Sequence, residues 1–251
     1  MNFHLIKKKL SGLRYTPLHP QWLIFRQEKE KMAFICNQAE GLVIDVGCAS
    51  QTPKQYLPKG CDYYGLDYPT TANNWYMTQP NVYADGQKLP FKQGSIDSIL
   101  LLDVIEHLPN PEQCINEIYR VLKPEGKLLL RVPFMYPIHD APLDFHRWTE
   151  YGLKQLATNN NFTITNTQRT GNPIECAAII SNIALTKTAL NWLKHKNPLA
   201  LLTISLVLII PFINLFGLLF SRLGSKDYFM PSSYTMTWKK NKTPNQSKVS
   251  K

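Results

Sequence analysis

The chain of 251 residues contains only 12 glycines, and none of them forms a phosphate-binding motif. No G-x-G-x-x-G and no Gly-Lys-Ser/Thr occurs anywhere in the sequence. Those motifs allow a loop backbone to approach a pyrophosphate or triphosphate closely. Their absence argues against a dinucleotide site, and therefore against a nicotinamide-dependent reductase.

Cysteine is also scarce. The five cysteines are odd in number, scattered along the chain and free of C-x-x-C spacing. This usage argues against a zinc site and favours a reducing compartment. The basic triplet Lys7–Lys9 is followed by no apolar segment, so a signal peptide is not expected. We therefore expect a cytoplasmic protein.

Acidic residues are missing from the ends of the chain. Residues 1–26 carry five Lys or Arg and no acid, and residues 222–251 carry seven Lys or Arg and a single acid. Residues 186–196 add three Lys and no acid, so with a net charge of +10 the remainder is mildly acidic. Such ends are either solvated tails or contacts for an anionic surface. We expect an anionic membrane surface as the partner and do not expect nucleic acid.

Four short apolar segments of the chain end in an acid. The four acids are Asp45, Asp67, Asp85 and Asp103. Apolar runs of this kind are typical of parallel strands, whose carboxyl ends meet at the ligand-binding edge of an α/β sheet. A turn of small residues follows Asp45, which would let the backbone approach a ligand. The offset of Asp67 from the first strand suits an acceptor for ribose hydroxyls.

These segments resemble the class I S-adenosylmethionine-dependent methyltransferases, in particular the type 11 branch. The matching stretches are Ile44–Cys48, Gly65–Asp67, Ala84–Gly86, Leu89–Phe91, Asp103–His107 and Glu117–Leu128. The resemblance implies a doubly wound α/β fold with a seven-stranded, mostly parallel sheet and an antiparallel last strand. Ala49 and Gln51 depart from the family, which usually has glycines there. We expect the Ala49 methyl to be tolerated only if φ stays negative.

The resemblance also implies S-adenosylmethionine as the cofactor. The implied contacts are Asp45 with the amino-acid end, the backbone of Gly47, Cys48 and Ala49 alongside the cofactor, Asp67 with both ribose hydroxyls, Asp85 and Gly86 with adenine, and Asp103 and Val104 on the far wall.

Two polar stretches follow the fourth and fifth strands, where an acceptor would bind. One is Glu106-His107, and the other holds two His, two Asp and one Arg within residues 139–147. Loops that carry function lie at this edge of such sheets. We expect His139 to be the general base or acceptor contact, followed by Asp140, with His107 as a further catalytic candidate. A backbone hydrogen bond from His107 would be a purely structural alternative.

The same loop offers two further structural interpretations. Arg147 would lock the loop if it paired with Asp144 or Glu150. The spacing of His139 and His146 is not a recognised metal spacing and no cysteine joins it, so we expect no metal.

Residues 197–221 carry no charge and are mostly Leu, Ile, Val and Phe. Their length would suit a membrane span, but a strand predicted at Ser233–Lys239 must return to the sheet. With Pro211 near the middle, we expect two short helices at about 199–210 and 212–220. They would form a hairpin dipping into one leaflet, a lid on the domain or a dimer face. The basic flanks are Lys187, Lys194, Lys196, Arg222 and Lys226.

The remaining pattern predicts further elements. Helices are expected at residues 21–39, 110–122, 149–158 and 175–194, and strands at residues 127–134 and 162–168. The predicted organisation is a basic arm (1–20), a methyltransferase domain (21–196), the apolar hairpin (197–221), a returning strand segment (222–240) and a polar tail (241–251).

The expected function is methyl transfer to a small-molecule, glycan or lipid acceptor at the inner face of a membrane. An envelope glycan, a lipid-linked sugar or another amphipathic molecule would suit. The alternative from another class is a membrane-docked, cofactor-binding protein of the same fold that does not turn over.

Overall fold

The computed structural model describes residues 11–224 and 228–242, which form two compact units. The larger unit comprises Met32–Phe134, Ile138–Arg169 and the chain from Ser233 onward. The smaller unit comprises Met135–Pro137, Thr170–Ser232 and the chain up to Lys31. This division differs from the predicted one, because residues 21–31 and 170–196 belong with the apolar segment. Residues 1–10 of the predicted basic arm lie outside the described residues. So do residues 243–251 of the predicted polar tail.

The larger unit is built on a seven-stranded sheet of order β3-β2-β1-β4-β5-β7-β6. The strands are β1 (Leu42–Val46), β2 (Asp62–Asp67), β3 (Val82–Tyr83), β4 (Ile96–Leu102), β5 (Leu122–Pro133), β6 (Phe162–Thr170) and β7 (Ser233–Lys240). β1 to β5 pair in parallel, whereas β7 runs antiparallel to β5. The predicted fold class, with the last strand returning to the sheet, is confirmed.

The central strands are apolar on both faces because helices or loops cover both sides of the sheet. Ile44, Ile99 and Leu130 lie in one core cluster, and Val43 and Leu100 lie in another. Burial of such side chains contributes roughly 1.5–3 kcal/mol each. The sheet is therefore held by packing that fixes where each strand ends.

The predicted helix over residues 21–39 is wrong, because the chain forms α1 (Trp22–Phe25) and α2 (Glu28–Cys36) with a turn between them. Leu23 of α1 packs with Ala178 in the smaller unit. Ile35 of α2 packs against the sheet of the larger unit. The apolar spacing runs through both helices, but their buried faces belong to different clusters.

The other helices of the larger unit begin close to their predicted starts. α3 (Pro111–Val121) has Pro111 in its first turn, although the Asn110 side chain makes no capping bond. α4 (Glu150–Asn159) is capped by Thr149, whose Oγ1 accepts from the Gly152 amide at 3.0 Å. β5 begins directly after α3, earlier than predicted.

The smaller unit contains α5 (Pro173–Lys194), a 3₁₀ helix (Pro198–Leu202) and α6 (Thr203–Leu223). The prediction of two short helices is wrong, since α6 continues through Pro211. An interior proline costs about 3 kcal/mol, so other contacts must offset it. Gly217 allows close packing, because a Cβ there would lie 2.8 Å from the Ala178 Cβ. None of the described helices is long and apolar enough to cross a membrane.

A buried polar residue faces the interior of the smaller unit. Asn214 of α6 is fully buried, and its Nδ2 donates to the Pro17 and His19 carbonyls at 2.7 and 2.9 Å. Its Oδ1 accepts from Asn182 Nδ2 at 2.9 Å. Satisfied hydrogen bonds of this kind compensate the burial of an amide. The interior-facing side of α6 therefore carries a polar contact as well as apolar ones.

The opposite side of α6 is apolar and exposed. We call it the apolar face of α6, and it consists of Leu208, Ile209, Phe212, Leu215, Phe216, Leu219, Phe220 and Leu223. Phe212 is 70 % exposed and Leu223 is 74 % exposed. Scattered exposed apolar residues are ordinary, but a contiguous patch on one helix marks an interaction surface.

Candidate active site

A cavity of about 320 Å³ lies at the carboxyl ends of β1, β2 and β4. Its lining includes most of the residues that the sequence singled out: Gly47, Asp67, Asp85, Gly86, Asp103, Val104, His107 and Asp140. Asp45, Cys48, Ala49 and His139 do not line it. The strand ends thus bring together residues from distant parts of the chain, as the sheet edge predicted.

The loop after β1 adopts the backbone geometry of a glycine-rich turn. Gly47 has φ +76°, and a Cβ there would lie 2.5 Å from Val104 Cγ2. Ala49 and Gln51 also have positive φ, at 38° and 55°. The condition under which we expected Ala49 to be tolerated is therefore not met, and the loop is strained at two non-glycine residues.

Asp67 holds this loop in place. Its Oδ2 accepts from the Ala49 amide at 2.8 Å, and its Oδ1 accepts from the Tyr68 amide at 2.8 Å and from Thr71 Oγ1 at 2.7 Å. A carboxylate has about four lone-pair positions. Asp67 therefore organises two loops while it lines the cavity, which leaves about one position for a ligand hydroxyl.

Asp45 and Cys48 lie behind the cavity wall. Asp45 is 2 % exposed and accepts from the Tyr63 hydroxyl at 2.7 Å. Burial raises the pKa of Asp45 to about 7, although the Tyr63 hydrogen bond opposes the shift. Burial also raises the pKa of the Cys48 thiol to about 12, which excludes a thiolate nucleophile at neutral pH.

Asp85, Gly86 and Asp103 form other parts of the wall. Asp85 Oδ1 accepts from the Gln87 amide at 2.8 Å. A Cβ at Gly86 would lie 3.0 Å from Val46 Cγ1, so the chain is tightly packed there. Asp103 accepts from Arg131 Nε at 2.8 Å, which makes this part of the wall an ion pair with β5.

Sequence reasoning missed an aromatic part of the wall. Tyr68, Trp75 and Tyr76 line the cavity, and the last two belong to a π-helix over Thr71–Tyr76. Burial raises the pKa of Tyr76. Aromatic rings offer a flat apolar surface with a polar tip. The sequence did contain an indication of this wall, because three aromatic residues lie within ten positions after Asp67.

In the loops that follow β4 and β5, His107 lies next to His139. Their ring centroids are 4.9 Å apart in an edge-to-face arrangement. His107 Nδ1 lies 2.7 Å from the Leu143 carbonyl oxygen. A carbonyl only accepts, so Nδ1 carries the proton and Nε2 presents a lone pair. The purely structural role expected for His107, a hydrogen bond to the backbone, therefore involves one of its two nitrogens, Nδ1.

Asp144 and Arg147 clamp the acceptor-side loop. Arg147 Nη1 and Nη2 each donate to Asp144 at 2.6 Å. These hydrogen bonds lower the pKa of Asp144 to about 2. Asp144 Oδ2 also accepts from the His139 amide at 2.9 Å, while Glu150 pairs with Arg169. Of the two pairs expected for Arg147, the structure contains the one with Asp144.

Sequence reasoning gave Glu106 no role of its own. Its side chain is fully buried, and among the described residues neither carboxylate oxygen has a hydrogen-bond partner. Burial, followed by the nearby Asp103 charge, raises the pKa of Glu106 to about 8. Its Oε1 lies 3.8 Å from His107 Nε2 and 4.0 Å from His139 Nε2.

Comparison with known proteins shows similarity to methyltransferases. Residues 44–130 match the model of a family described as methyltransferase domain. The chain is 29 % identical over 125 residues to a sterol 24-C-methyltransferase of Kluyveromyces lactis, covering 45 % of this chain and 34 % of that protein. The chain thus spans about a third of that relative's length.

Two solved structures share the fold. A SAM-dependent methyltransferase from Archaeoglobus fulgidus superposes with a TM-score of 0.52 at 14 % identity, covering 96 % of this chain and all of that one. The [4+2]-cyclase SpnF superposes with a TM-score of 0.51 at 14 % identity, covering 86 % of this chain and 80 % of the cyclase. At these identities the likeness concerns the fold alone.

The matched family and the fold imply S-adenosylmethionine, and the cavity fits that molecule chemically. Val46, Leu66 and Val104 give an apolar slot for a nucleoside. Asp67 and Asp85 offer acceptors for hydroxyl and amino groups. Gly47 and Gly86 occupy positions at which a Cβ would clash or crowd. The donors and acceptors suit a nucleoside with a hydroxyl-bearing sugar and an exocyclic amine.

Proposed function

We propose, from the match of residues 44–130 to the methyltransferase domain family, that the protein transfers a methyl group from S-adenosylmethionine to an amphipathic, lipid-related acceptor. One observation carries the proposal. One cavity is lined both by Gly47, Asp67, Asp85 and Gly86, which we assign to the cofactor, and by His107 and Asp140, which we assign to the acceptor. A site for methyl transfer needs both halves next to each other.

On the cofactor side, the residues of the chain bind and orient. When bound, S-adenosylmethionine supplies an electrophilic methyl group on a sulfonium. Asp67 would accept from the ribose, Asp85 would accept from the adenine amine, and Gly86 would allow the base to lie close to the chain. Asp45 acts from behind, as a positioning residue for the loop of Gly47, Cys48 and Ala49. Asp103 and Val104 form the far wall.

On the acceptor side, we assign His139 first, Asp140 second and His107 third. His107 and Asp140 line the cavity, and His139 packs edge-on against the His107 ring. The Asp144–Arg147 clamp fixes the backbone of His139 before any substrate binds. Such preorganisation holds a nucleophile in line with the methyl carbon, which is the larger part of catalysis for a displacement.

The lipid-related acceptor is supported by two observations. A relative named sterol 24-C-methyltransferase matches 45 % of this chain. The apolar face of α6 also gives the protein a surface suited to apolar surroundings. A lipid-linked sugar or an envelope glycan on a lipid anchor would share this amphipathic character.

We also propose that the apolar face of α6 docks on an anionic membrane surface. The helix carries its buried Asn214 on the inner side and its large apolar side chains on the outer side, the reverse of an ordinary surface helix. Lys194, Lys196 and Arg222 are exposed beside this segment. Their charges would meet anionic headgroups while the apolar side chains enter the interface.

The test of the reaction uses labelled cofactor. The full chain is incubated with methyl-labelled S-adenosylmethionine and separated lipid and polysaccharide fractions of a cell envelope. We expect label in the lipid-extractable fraction, and much less label with Asp67→Ala at the same cofactor concentration, chosen below saturation of the parent. Label confined to delipidated polysaccharide would contradict the lipid-related acceptor.

The same experiment separates the alternative. A cofactor-binding protein without turnover would bind S-adenosylmethionine in calorimetry and label no fraction. The positive φ of Ala49 and Gln51 favours that alternative, because strain in this loop weakens the approach of the backbone to the cofactor.

A further inference from the structure

The buried carboxylate of Glu106 and two imidazoles converge next to the cavity. One ligand atom each from Glu106, His107 and His139 lies within 4.8 Å of the others. The Glu106 side chain is fully buried, and among the described residues nothing donates a hydrogen bond to its oxygens. An unpaired buried carboxylate is costly, so a natural structure normally provides it with a partner.

The imidazoles do not supply that partner by themselves. Their Nε2 atoms lie 3.8 and 4.0 Å from Glu106 Oε1, which is beyond a hydrogen bond. A cation with ligand bonds of about 2.1 Å holds neighbouring ligand atoms roughly 3–4 Å apart. The two distances from Glu106 Oε1 therefore fall at the upper end of the range for ligands around a shared ion and outside the range for hydrogen-bonded groups.

The outer nitrogen of His107 is held as metal-binding histidines require, whereas His139 Nδ1 lies between Asp144 Oδ2 and Arg147 Nη2, the latter at 3.4 Å. His107 Nδ1 donates to the Leu143 carbonyl at 2.7 Å, which leaves the Nε2 lone pair facing Glu106. His139 Nδ1 lies 3.3 Å from Asp144 Oδ2. Metal-ligating histidines characteristically direct their second nitrogen to a carbonyl or a carboxylate in this way.

We propose that Glu106, His107 and His139 bind a divalent transition-metal cation. Two imidazoles and one carboxylate suit Zn²⁺, Mn²⁺, Fe²⁺ or Co²⁺ better than Mg²⁺ or Ca²⁺, which prefer oxygen ligands. His107 lines the cavity, so the cluster lies beside it. An acceptor that ligates through an oxygen would be held there; this role rests on the proposed function, whereas cation binding does not.

The expectation of no metal was based on one pair of histidines in the sequence. It considered His139 and His146, which lie in one loop. The structure instead joins His139 to Glu106 and His107, which follow β4. His146 lies outside this cluster, although its Nε2 is buried and has no hydrogen-bond partner among the described residues.

The test uses Co²⁺ as the probe on tag-free full chain freed of metal by a chelator. We expect saturable binding at one cation per chain, seen by calorimetry and by visible absorption of the ion. Glu106→Gln and His139→Ala should each weaken it about tenfold or more. His146→Ala is the matched control from the same loop and should bind as the parent does.

Each outcome decides the proposal. No saturable binding, or equal weakening by His146→Ala, would overturn the site. Because Glu106→Gln is nearly isosteric and removes only charge, it should retain the parent's melting temperature, and lost binding in a folded variant supports direct ligation. S-adenosylmethionine binding is measured separately on the chelated protein, so failure of the cation site is distinguishable from failure of the proposed function.

Discussion

The cavity edge and the apolar face of α6 represent two ways in which a sequence encodes a surface. At the cavity edge, single side chains have single partners, as when Asp67 holds Ala49 and Thr71. On the apolar face, eight exposed side chains share one property, and the surface depends on their sum even where two of them pair, as Phe216 stacks on Phe220. Changing one residue should therefore disable the first region, whereas the second should tolerate single changes and fail only when several are made.

The largest effect is expected on the apolar face. Phe212→Gln, Phe216→Gln and Leu219→Gln combined should reduce binding to anionic vesicles about 100-fold, since each side chain contributes at least about 1 kcal/mol of burial. Vesicle co-sedimentation measures it. Tyr64→Gln with Tyr151→Gln removes exposed rings of the larger unit and should leave binding as it was. Unaltered binding by the triple variant would remove the docking proposal.

The next effect concerns the acceptor side. His139→Ala should lower turnover about 100-fold, because its ring packs edge-on against His107, which lines the cavity, and a positioned general base typically contributes that much. Cofactor affinity should stay within twofold, since His139 does not line the cavity. Steady-state rates at saturating acceptor, together with calorimetry, separate the two. His146→Ala is the control, and a loss of cofactor affinity in His139→Ala would move this loop to the cofactor side.

On the cofactor side, Asp67→Ala should weaken S-adenosylmethionine binding by about 2 kcal/mol, roughly 30-fold. The carboxylate loses its contact with the ligand and releases the Ala49 amide. Calorimetry measures the affinity, and thermal melting shows how much of the loss is structural. Asp62→Ala, an exposed acid at the other end of β2, is the matched control. Equal affinity of Asp67→Ala and the parent would refute the ribose assignment.

Because Asp45 is buried, the free energy of unfolding should depend on pH in a way that an exposed acid would not cause. Its pKa is raised by burial to about 7, so the folded state binds its proton more tightly than the unfolded state does. Its favourable contribution is present below about pH 4 and is lost as the pH rises through about 7. Relative to Asp45→Asn, the parent should therefore lose about 1 kcal/mol of unfolding free energy between pH 6 and pH 7. Denaturant titrations without cofactor test this, and a constant difference across that range would show that Asp45 titrates normally.

The smallest effect concerns the strained loop. Ala49→Gly should stabilise the protein by roughly 0.5–1 kcal/mol, because glycine adopts the positive φ of this position without strain. The melting temperature and the cofactor affinity should both rise. Ala157→Gly in the interior of α4 should instead destabilise the protein by about the same amount. A lower melting temperature for Ala49→Gly would mean that the Ala49 methyl makes contacts worth more than the strain.

The residues at the cavity edge could be predicted because the sequence patterns that indicate them are local. An apolar run that ends in an acid defines both a buried strand and the residue that emerges at its end, as at Asp67 and Asp85. Parallel pairing then brings those ends together without further information. The outline of the fold and the position of eight cavity residues follow from that rule.

Other features depended on partners far away in the sequence. Pro211 indicated a helix break, but packing of Gly217 on Ala178 and the bonds of Asn214 favour a continuous helix. Negative φ at Ala49 was a reasonable requirement, but the Asp67 carboxylate holds that residue at positive φ. In both cases a tertiary contact outweighs a local preference of a few kcal/mol or less.

The sequence by itself determined which strands exist and which of them end in an acid at the ligand-binding edge of the sheet. It also determined where an apolar segment precedes the last strand. These features depend on the spacing of neighbouring residues. Only the tertiary structure decided that the Glu106 carboxylate is buried close to His107 and His139, with no hydrogen-bond partner in the part of the chain that the structure describes, and that the apolar side of α6 is exposed. Those facts depend on burial and on distances between residues that the chain separates, and spacing along the chain carries no information about either.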